Sequence, residues 1–252
     1  MVTLKHGIFG YEFGNFRPTH QSRRELLEKI NKVFSETRPA LIYGLKANFT
    51  THIDVFKDDE PWNMWFSRSK DDADGGILIN KPNVAIAIFN GDCPVICLHE
   101  DQKLAVLHGG YRCLVRANRD ELGILELALQ HFKPSRTKAY VFGGIGSCCW
   151  VPEYDDKPEI LKPELSRRPD LLKKSLSMTT AICPFGADKV SVDLYELIKL
   201  QLEEHSVEVT MNKTCTCCAM NGPWYKYWSH TRFQAGKQEK LDGRNMAIAW
   251  LE

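Results

Sequence analysis

The sequence lacks any long apolar segment and any excess of one charge. No run approaches the roughly 18 apolar residues of a membrane-spanning helix, and the first residues lack the apolar core of a secretory signal. Thirty-three basic residues are balanced by 32 acidic ones, for a net charge of +1. Such a balance gives no electrostatic reason to bind nucleic acid or an anionic membrane. We therefore expect a cytoplasmic protein with neither of these as a partner.

The 252 residues also lack repeats, low-complexity tracts and linkers rich in Pro, Gly or Ser, which predicts one domain over residues 1–252. Nine cysteines are an odd number, and two pairs of them, Cys148–Cys149 and Cys217–Cys218, are adjacent. This spacing does not match a disulfide-bonded secreted scaffold. We expect reduced thiols, some of them ligands or nucleophiles.

The apolar pattern predicts a mixed α/β fold, a single three-layer domain around a mixed β-sheet. Short apolar runs predict buried strands over residues 84–89, 95–98, 104–107, 139–142, 207–210 and 245–251, with a tight turn joining the second and third. Helical spacing predicts helices over residues 21–34, 116–132 and 192–205, the last capped by Ser191 or Asp193. Residues 57–74 show no clear period and predict a loop or insertion.

Two reactive residues stand where predicted buried strands meet loops. Cys93 lies in a Gly-Asp-Cys-Pro segment and His108 in Leu-His-Gly-Gly-Tyr-Arg, and the glycines allow close approach of a ligand. A thiolate and an imidazole suit zinc, whose catalytic sites need only three protein ligands. The same pair also suits a Cys-His nucleophilic dyad, or a buried thiol beside a hydrogen-bonded histidine without catalytic work. The residues alone leave these readings open.

Two further motifs are weak on their own. Residues 143–149, GGIGSCC, resemble a phosphate-binding turn but lack the GxGxxG and GxxxxGK patterns. Residues 215–218, CTCC, contain a CxxC, but the second CxxC of a structural zinc site is missing. We therefore do not predict a structural zinc site from spacing.

Taken in order, several segments resemble one family, the YfiH-type laccase-domain proteins once called multicopper polyphenol oxidoreductases. They are DADG at 72–75, DCP at 92–94, HGGYRC at 108–113, GGIGSCCW at 143–150 and SHTR at 229–232. Each motif is weak, whereas the ordered set covers nearly the whole chain. The resemblance implies a mixed α/β domain with a zinc site of two histidines and one cysteine.

Cys93 and His108 match two of the ligands that the resemblance implies. The family's first histidine follows a Leu-x-Gln-x-His pattern, and here the segment that begins at Leu45 places Phe49 in that slot. His52 lies three residues further on. We predict that His52, with Cys93 and His108, completes the metal site, because zinc held by two ligands would bind weakly. Phe49 in the slot would leave only those two.

The resemblance further implies a zinc-dependent enzyme of purine nucleosides, which phosphorolyses adenosine, inosine or methylthioadenosine or deaminates adenosine. Zinc would polarise water or the purine. Arg112 and the turn residues Gly143, Gly144, Gly146, Ser147 and Cys149 would hold phosphate or ribose oxygens, since guanidinium and oriented amides bind anions. Asp92 would support the metal ligands or accept a proton.

Three other functions remain as alternatives. One is a Cys-His hydrolase of a peptidoglycan precursor or another small amide, and a second is a degenerate, non-catalytic family member, since Thr231 stands where the family has an arginine. The third is a copper polyphenol oxidase. A lone copper on a cysteine and two histidines is chemically possible. The eight histidines, however, include no His-x-His pair, which disfavours a multicopper centre.

Overall fold

The computed structural model describes residues 2–17, 22–34, 39–56, 66–68, 72–115, 122–150, 169–179, 189–236 and 241–252. The strands are β1 Leu4–Phe9, β2 Leu41–Leu45, β3 Ile53–Phe56, β4 Phe66–Arg68, β5 Gly75–Ile79, β6 Val84–Asn90, β7 Val95–Glu100, β8 Lys103–His108, β9 Lys138–Phe142, β10 Leu176–Thr179, β11 Lys189–Val192, β12 Glu208–Met211, β13 Met220–Asn221, β14 Trp224–Tyr225 and β15 Asn245–Leu251. The helices are α1 Arg23–Val33, α2 Tyr111–Leu114, α3 Ile124–Leu129, α4 Pro169–Ser175, α5 Leu194–Glu204 and α6 His230–Gln234.

Two large mixed sheets form the centre of the fold. One has five strands in the order β1-β15-β6-β2-β4, and the other has six in the order β12-β9-β7-β8-β5-β3. Strand β2 runs parallel to β4 and β6, as β3 does to β5 and β12 to β9, while the other neighbours are antiparallel. The mixed α/β class is confirmed, and the sheet that we expected at the centre is a pair of sheets.

The sheets face each other across a shared apolar core, with helices against their outer faces. In β6, Ile86 and Ile88 point into that shared core, whereas Ala85 and Ala87 pack with α1. This alternation follows from the two-residue period of a strand. The outer face of the six-stranded sheet packs against α2, α3 and α5. Because both faces of β6 are covered, its sequence is almost continuously apolar, which is the pattern that predicted it.

Most of the predicted elements are confirmed. The six predicted strands correspond to β6, β7, β8, β9, β12 and β15, and the first and last predicted helices to α1 and α5. Of the two proposed caps of α5, Asp193 is the one used, since its carboxylate accepts the Glu196 N–H at 3.0 Å. No helix in the described part of the chain has the length and apolarity to cross a bilayer.

Two predictions at irregular segments differ from the structure. Of the helix predicted over residues 116–132, the described part, residues 122–132, is helical at Ile124–Leu129 with Gly123 as the N-cap, and the short α2 precedes it. Residues 116–121 lie outside the described residues. Within the predicted loop 57–74, residues 66–68 form β4, and 57–65 and 69–71 are likewise outside the description.

Candidate functional site

The hairpin of β7 and β8 brings Cys93 and His108 together at one end of the six-stranded sheet. Val95 pairs with His108 across the antiparallel ladder, and the N–H of Gly109 donates to the Pro94 carbonyl at 2.7 Å. The His108 side chain is buried, whereas Cys93 is partly exposed. Both residues lie at strand ends as predicted, with the thiol within hydrogen-bonding reach of the imidazole.

Asp74 fixes the orientation of the His108 ring. It immediately precedes β5, which pairs with β8, and its carbonyl accepts the His108 N–H at 2.7 Å. Its Oδ1 lies 2.6 Å from His108 Nδ1. With Nδ1 engaged, Nε2 is the ring nitrogen left for Cys93. Sequence reasoning missed Asp74 as a site residue, although the DADG motif at a strand start was the available signal.

The loop before β3 wraps around the Asp74 carboxylate. Backbone N–H groups of Asn48, Phe49 and Thr50 donate to it at 3.2, 3.1 and 2.6 Å, and the Thr50 hydroxyl donates at 2.8 Å. Phe49 has a φ of 57°, in the left-handed region, which turns successive amides toward one point. Burial raises the pKa of Asp74, but the hydrogen bonds from His108 and Thr50 outweigh it and hold that pKa below its ordinary value.

The charges around His108 favour its protonated form. Burial lowers the pKa of the imidazole, but the negative charge of a Cys93 thiolate and the hydrogen bond to Asp74 raise that pKa well above its ordinary value. A protonated imidazole beside a partly exposed cysteine is the arrangement of a Cys-His pair in which the sulfur serves as nucleophile. The geometry therefore forms a Cys93–His108–Asp74 row with the relations of a catalytic triad.

The structure does not bring the predicted third ligand to this pair. The His52 side chain is 53% exposed, and its Nε2 bonds Asp54 Oδ1 at 2.9 Å. Phe49 instead occupies the space beside the pair, with its ring centroid 5.2 Å from that of His108. The predicted metal set of His52, Cys93 and His108 therefore does not converge, because the Asp74 clamp turns Phe49 rather than His52 toward the site.

One Cys/His/Asp group here is a possible metal site. The ligand atoms of Asp74, His108 and Cys113 lie within 4.8 Å of one another. However, Asp74 and His108 Nδ1 already bond each other, and a metal between them would have to break the contacts that hold the loop at Phe49. The predicted pair of Cys93 and His108 supplies only two donors, one of them already in this group, which is fewer than a catalytic zinc or a copper cage requires. The donors thus fit such a metal poorly, and no reaction step is assigned to one.

The other predicted catalytic residues separate into two locations. The Arg112 guanidinium lies 5.9 Å from the centroid of the Phe49 ring and is exposed, so it can meet an anion near the site entrance. Asp92 is buried, and its two carboxylate oxygens accept the Thr216 hydroxyl at 2.8 Å and the Thr231 N–H at 2.6 Å. Asp92 is therefore a brace between loops, and we do not retain it as a proton acceptor.

The glycine turn at residues 143–149 uses its amides inside the protein. The N–H groups of Gly144, Ile145 and Gly146 donate to the Tyr195 hydroxyl, the Asp92 carbonyl and Cys215 Sγ, at 2.9, 2.6 and 3.2 Å. A Cβ at Gly144 would lie 2.4 Å from Pro94, so glycine lets this turn approach the Cys93 loop. The other turn residues predicted to bind phosphate are also engaged or buried. Gly143 has a φ of 70°, and its carbonyl accepts a hydrogen bond from the Asn90 side-chain amide. The Ser147 hydroxyl donates to the Asp193 carboxylate, and Cys149 is buried. The predicted phosphate-binding role is not retained.

Comparison with known families adds an independent observation. Residues 29–252 match the model of a family described as multi-copper polyphenol oxidoreductase laccase. No curated protein sequence matches the chain.

Three solved bacterial structures share this fold. They are the hypothetical protein YfiH of Bacillus licheniformis (18% identity, TM-score 0.68, covering 100% of this chain and 93% of that one), a Neisseria meningitidis protein of the family DUF152 (19%, 0.65, 100% and 94%) and YlmD of Geobacillus stearothermophilus (18%, 0.66, 99% and 90%). At these identities the likeness establishes the fold alone.

Proposed function

The chain belongs to the multi-copper polyphenol oxidoreductase laccase family, the YfiH-type laccase-domain proteins, and from this premise we propose that it is a hydrolase of carbon–nitrogen bonds that uses Cys93 as its nucleophile. The observation that carries the proposal is the row from the Cys93 thiol through His108 to the clamped Asp74 carboxylate. The family includes purine nucleoside phosphorylase-like metalloenzymes, so its members support enzyme function in general.

The proposed reaction has two steps. The Cys93 thiolate attacks an sp² carbon that carries an amine, a carbon–sulfur bond forms, and the His108 Nε2 proton passes to the leaving nitrogen as the carbon–nitrogen bond breaks. Water then attacks the same carbon with His108 Nε2 as base, and the carbon–sulfur bond breaks to restore the thiolate. Asp74 keeps the imidazole oriented through both steps.

Two substrate classes meet this chemical requirement. C6 of adenine is an sp² carbon bearing an amine. Hydrolysis of this carbon–nitrogen bond is the deamination of adenosine with which the family is associated. A small amide, such as one in a peptidoglycan precursor, presents an equivalent carbon. Adenosine is the first substrate to test because the family is associated with purine nucleosides. The exposed Arg112 instead suits the second class, since a peptidoglycan precursor carries anionic carboxylates and adenosine is neutral.

A second candidate is zinc-dependent phosphorolysis of a purine nucleoside. It is favoured by family membership and by the position of Arg112 near the entrance, where a guanidinium would bind phosphate. It requires a metal on Cys93 and His108, together with a ligand that the described residues do not bring to the pair.

One experiment separates these functions. Purified protein is incubated with adenosine, inosine or a small peptidoglycan amide, with and without phosphate and with and without a chelator, and the products are resolved by chromatography. We expect ammonia or amine release that needs neither phosphate nor metal. Mass spectrometry of the intact protein during turnover should reveal an adduct at Cys93.

The outcomes assign the function. Phosphate-dependent release of a free purine base that stops on chelation would replace the hydrolase proposal with the phosphorylase. No product from any substrate would contradict both and favour the non-catalytic alternative. Hydrolysis that continues in Cys93→Ala would exclude this residue as the nucleophile.

A further inference from the structure

A second group of cysteines lies away from the Cys93–His108 pair. Cys148 and Cys149 follow the glycine turn after β9, and Cys215 and Cys218 lie in the loop after β12. Their four sulfur atoms all lie within 4.8 Å of one another. Two loops thus bring four thiols together, although Cys148 and Cys218 are 70 residues apart in sequence.

Two sulfur–sulfur distances in this group equal the edge of a tetrahedron around one zinc ion. Cys148 Sγ lies 3.8 Å from Cys149 Sγ and 3.7 Å from Cys218 Sγ. A zinc–sulfur bond of about 2.3 Å gives a tetrahedral sulfur–sulfur edge of about 3.8 Å. A disulfide would need about 2.0 Å, and all four cysteines are free thiols. The separation is therefore that of ligands sharing one ion.

The surrounding backbone suits negatively charged sulfur. The Gly146 N–H donates to Cys215 Sγ at 3.2 Å, and the Cys218 N–H donates to the same atom. In the Cys215–Cys218 turn, the Ala219 N–H donates to the Cys215 carbonyl at 3.0 Å, which folds the CxxC segment so that both thiols point the same way. Amide hydrogen bonds to sulfur stabilise thiolates, the form that binds metal.

Burial gives the cluster a closed inner side and an accessible outer side. Cys149 and Cys215 are buried, Cys148 is partly buried and Cys218 is exposed. The neighbouring Cys217 is buried in the apolar core and is not part of the group. A metal would thus have an entry path from solvent and four ligands without an open coordination position, as structural zinc sites have.

We propose that Cys148, Cys149, Cys215 and Cys218 bind a structural zinc ion. In a structural zinc site with four cysteines, two CxxC segments usually supply the ligands. Here the Cys215–Cys218 segment supplies two of them, and the adjacent pair Cys148–Cys149 takes the place of the second CxxC. The ion joins the turn after β9 to the loop after β12. That loop also bonds the Cys93 region, since the Thr216 N–H donates to Gly144 and its hydroxyl to Asp92. This proposal does not depend on the proposed function.

Metal analysis of the full chain, purified under reducing conditions, tests the site. We expect about one zinc per chain in the wild type and a loss of about tenfold or more in Cys148→Ser and Cys215→Ser. Two matched controls should keep the zinc: Cys97→Ala, a buried cysteine of β7 outside the group, and Cys93→Ala. Cobalt in place of zinc should give the absorption of a tetrahedral thiolate complex.

Thiol counting keeps the test decisive if a serine variant does not fold. In the wild-type protein, the four cluster thiols should resist alkylation until a chelator removes the metal, and peptide mapping should identify them. Wild-type protein without stoichiometric metal and without the cobalt absorption would overturn the proposal. So would zinc that is lost in Cys93→Ala but kept in Cys215→Ser, or a Cys148–Cys218 disulfide in the reduced preparation.

Discussion

The two cysteine-bearing regions of this molecule differ in what surrounds the sulfur. At the end of the β7–β8 hairpin, one thiol stands beside an imidazole whose other nitrogen is bonded to a carboxylate. In the loops after β9 and β12, four thiols face one another with backbone amides around them. The first arrangement leaves the thiol free to react, whereas the second satisfies a metal ion completely. The neighbours of a cysteine thus decide its chemistry, and both kinds occur in one chain.

Removal of the Cys93 thiol should give the largest effect and should affect one region alone. We expect Cys93→Ala to lower kcat of the proposed hydrolysis by about 10³-fold or more, because the nucleophile is lost. Zinc content and Tm should stay near those of the wild type. Steady-state kinetics, metal analysis and thermal unfolding check this, with Cys97→Ala as the control for loss of a thiol. A large fall in zinc content would show that the regions are not separate.

Phe49→His should convert the reactive region into a second metal site. The new imidazole would face His108 from the position of the present ring, and histidine tolerates the left-handed backbone there better than phenylalanine. We expect zinc to rise from about one to about two per chain. Metal analysis measures the gain, and His52→Ala should leave the content unchanged. If Phe49→His gains no zinc, or if His52→Ala loses zinc, the slot has been assigned to the wrong residue.

Asp74→Asn should weaken the reactive region through orientation rather than contact with substrate. The side-chain amide of the new residue would direct an NH₂ group at Thr50 N–H or at His108 Nδ1, both of which now bond a carboxylate oxygen. An NH₂ group facing Nδ1 would favour the His108 tautomer that carries its proton on Nε2. We expect kcat to fall roughly 10²-fold with little change in KM, and unfolding free energy to fall by about 2–3 kcal/mol. A pH–rate profile with unchanged shape would argue for a purely structural role, as would equal loss of kcat in Asp54→Asn, the control.

The smallest expected effect is on the pH dependence of stability. The folded-state pKa of His108 is raised above its ordinary 6.5, so protonation of the imidazole favours the folded state. This stabilisation is complete below pH 6.5 and is lost as pH rises through the raised pKa. We expect the Tm advantage of the wild type over His108→Gln to shrink with rising pH, as thermal unfolding in a pH series would show. An advantage that grows instead would contradict the sign.

Sequence patterns predicted regular elements better than they predicted the site. The runs at β6 and β15 are apolar because both faces of these strands are buried, a condition that composition records directly. The pair Cys93 and His108 was predictable because Cys93 lies just before β7 and His108 ends β8, the two strands of one hairpin. Asp74 was not, since its importance depends on three amides and an imidazole that only the folded loop assembles.

The sequence predicted the wrong third ligand and did not predict the four-cysteine group, and the two failures have a related cause. A spacing of three residues between Phe49 and His52 does not reveal which side chain lies against His108, because the answer depends on a backbone in the left-handed region. The cysteines of the second region come from two loops, one with an adjacent pair rather than a CxxC, so no single motif describes them. Long-range convergence leaves little trace in local sequence.

The β7–β8 hairpin has a consequence for how the molecule assembles. Its two strands are joined by a short turn, so the pairing of Val95 with His108 closes a small loop at low entropic cost and can form early in folding. Contact between Asp74 and His108 spans 34 residues, and contact between Cys148 and Cys218 spans 70. The entropic cost of loop closure thus rises from the reactive pair, to its orienting carboxylate, to the cysteine cluster, so the contacts that hold the outer loops together are the most expensive of the three to form.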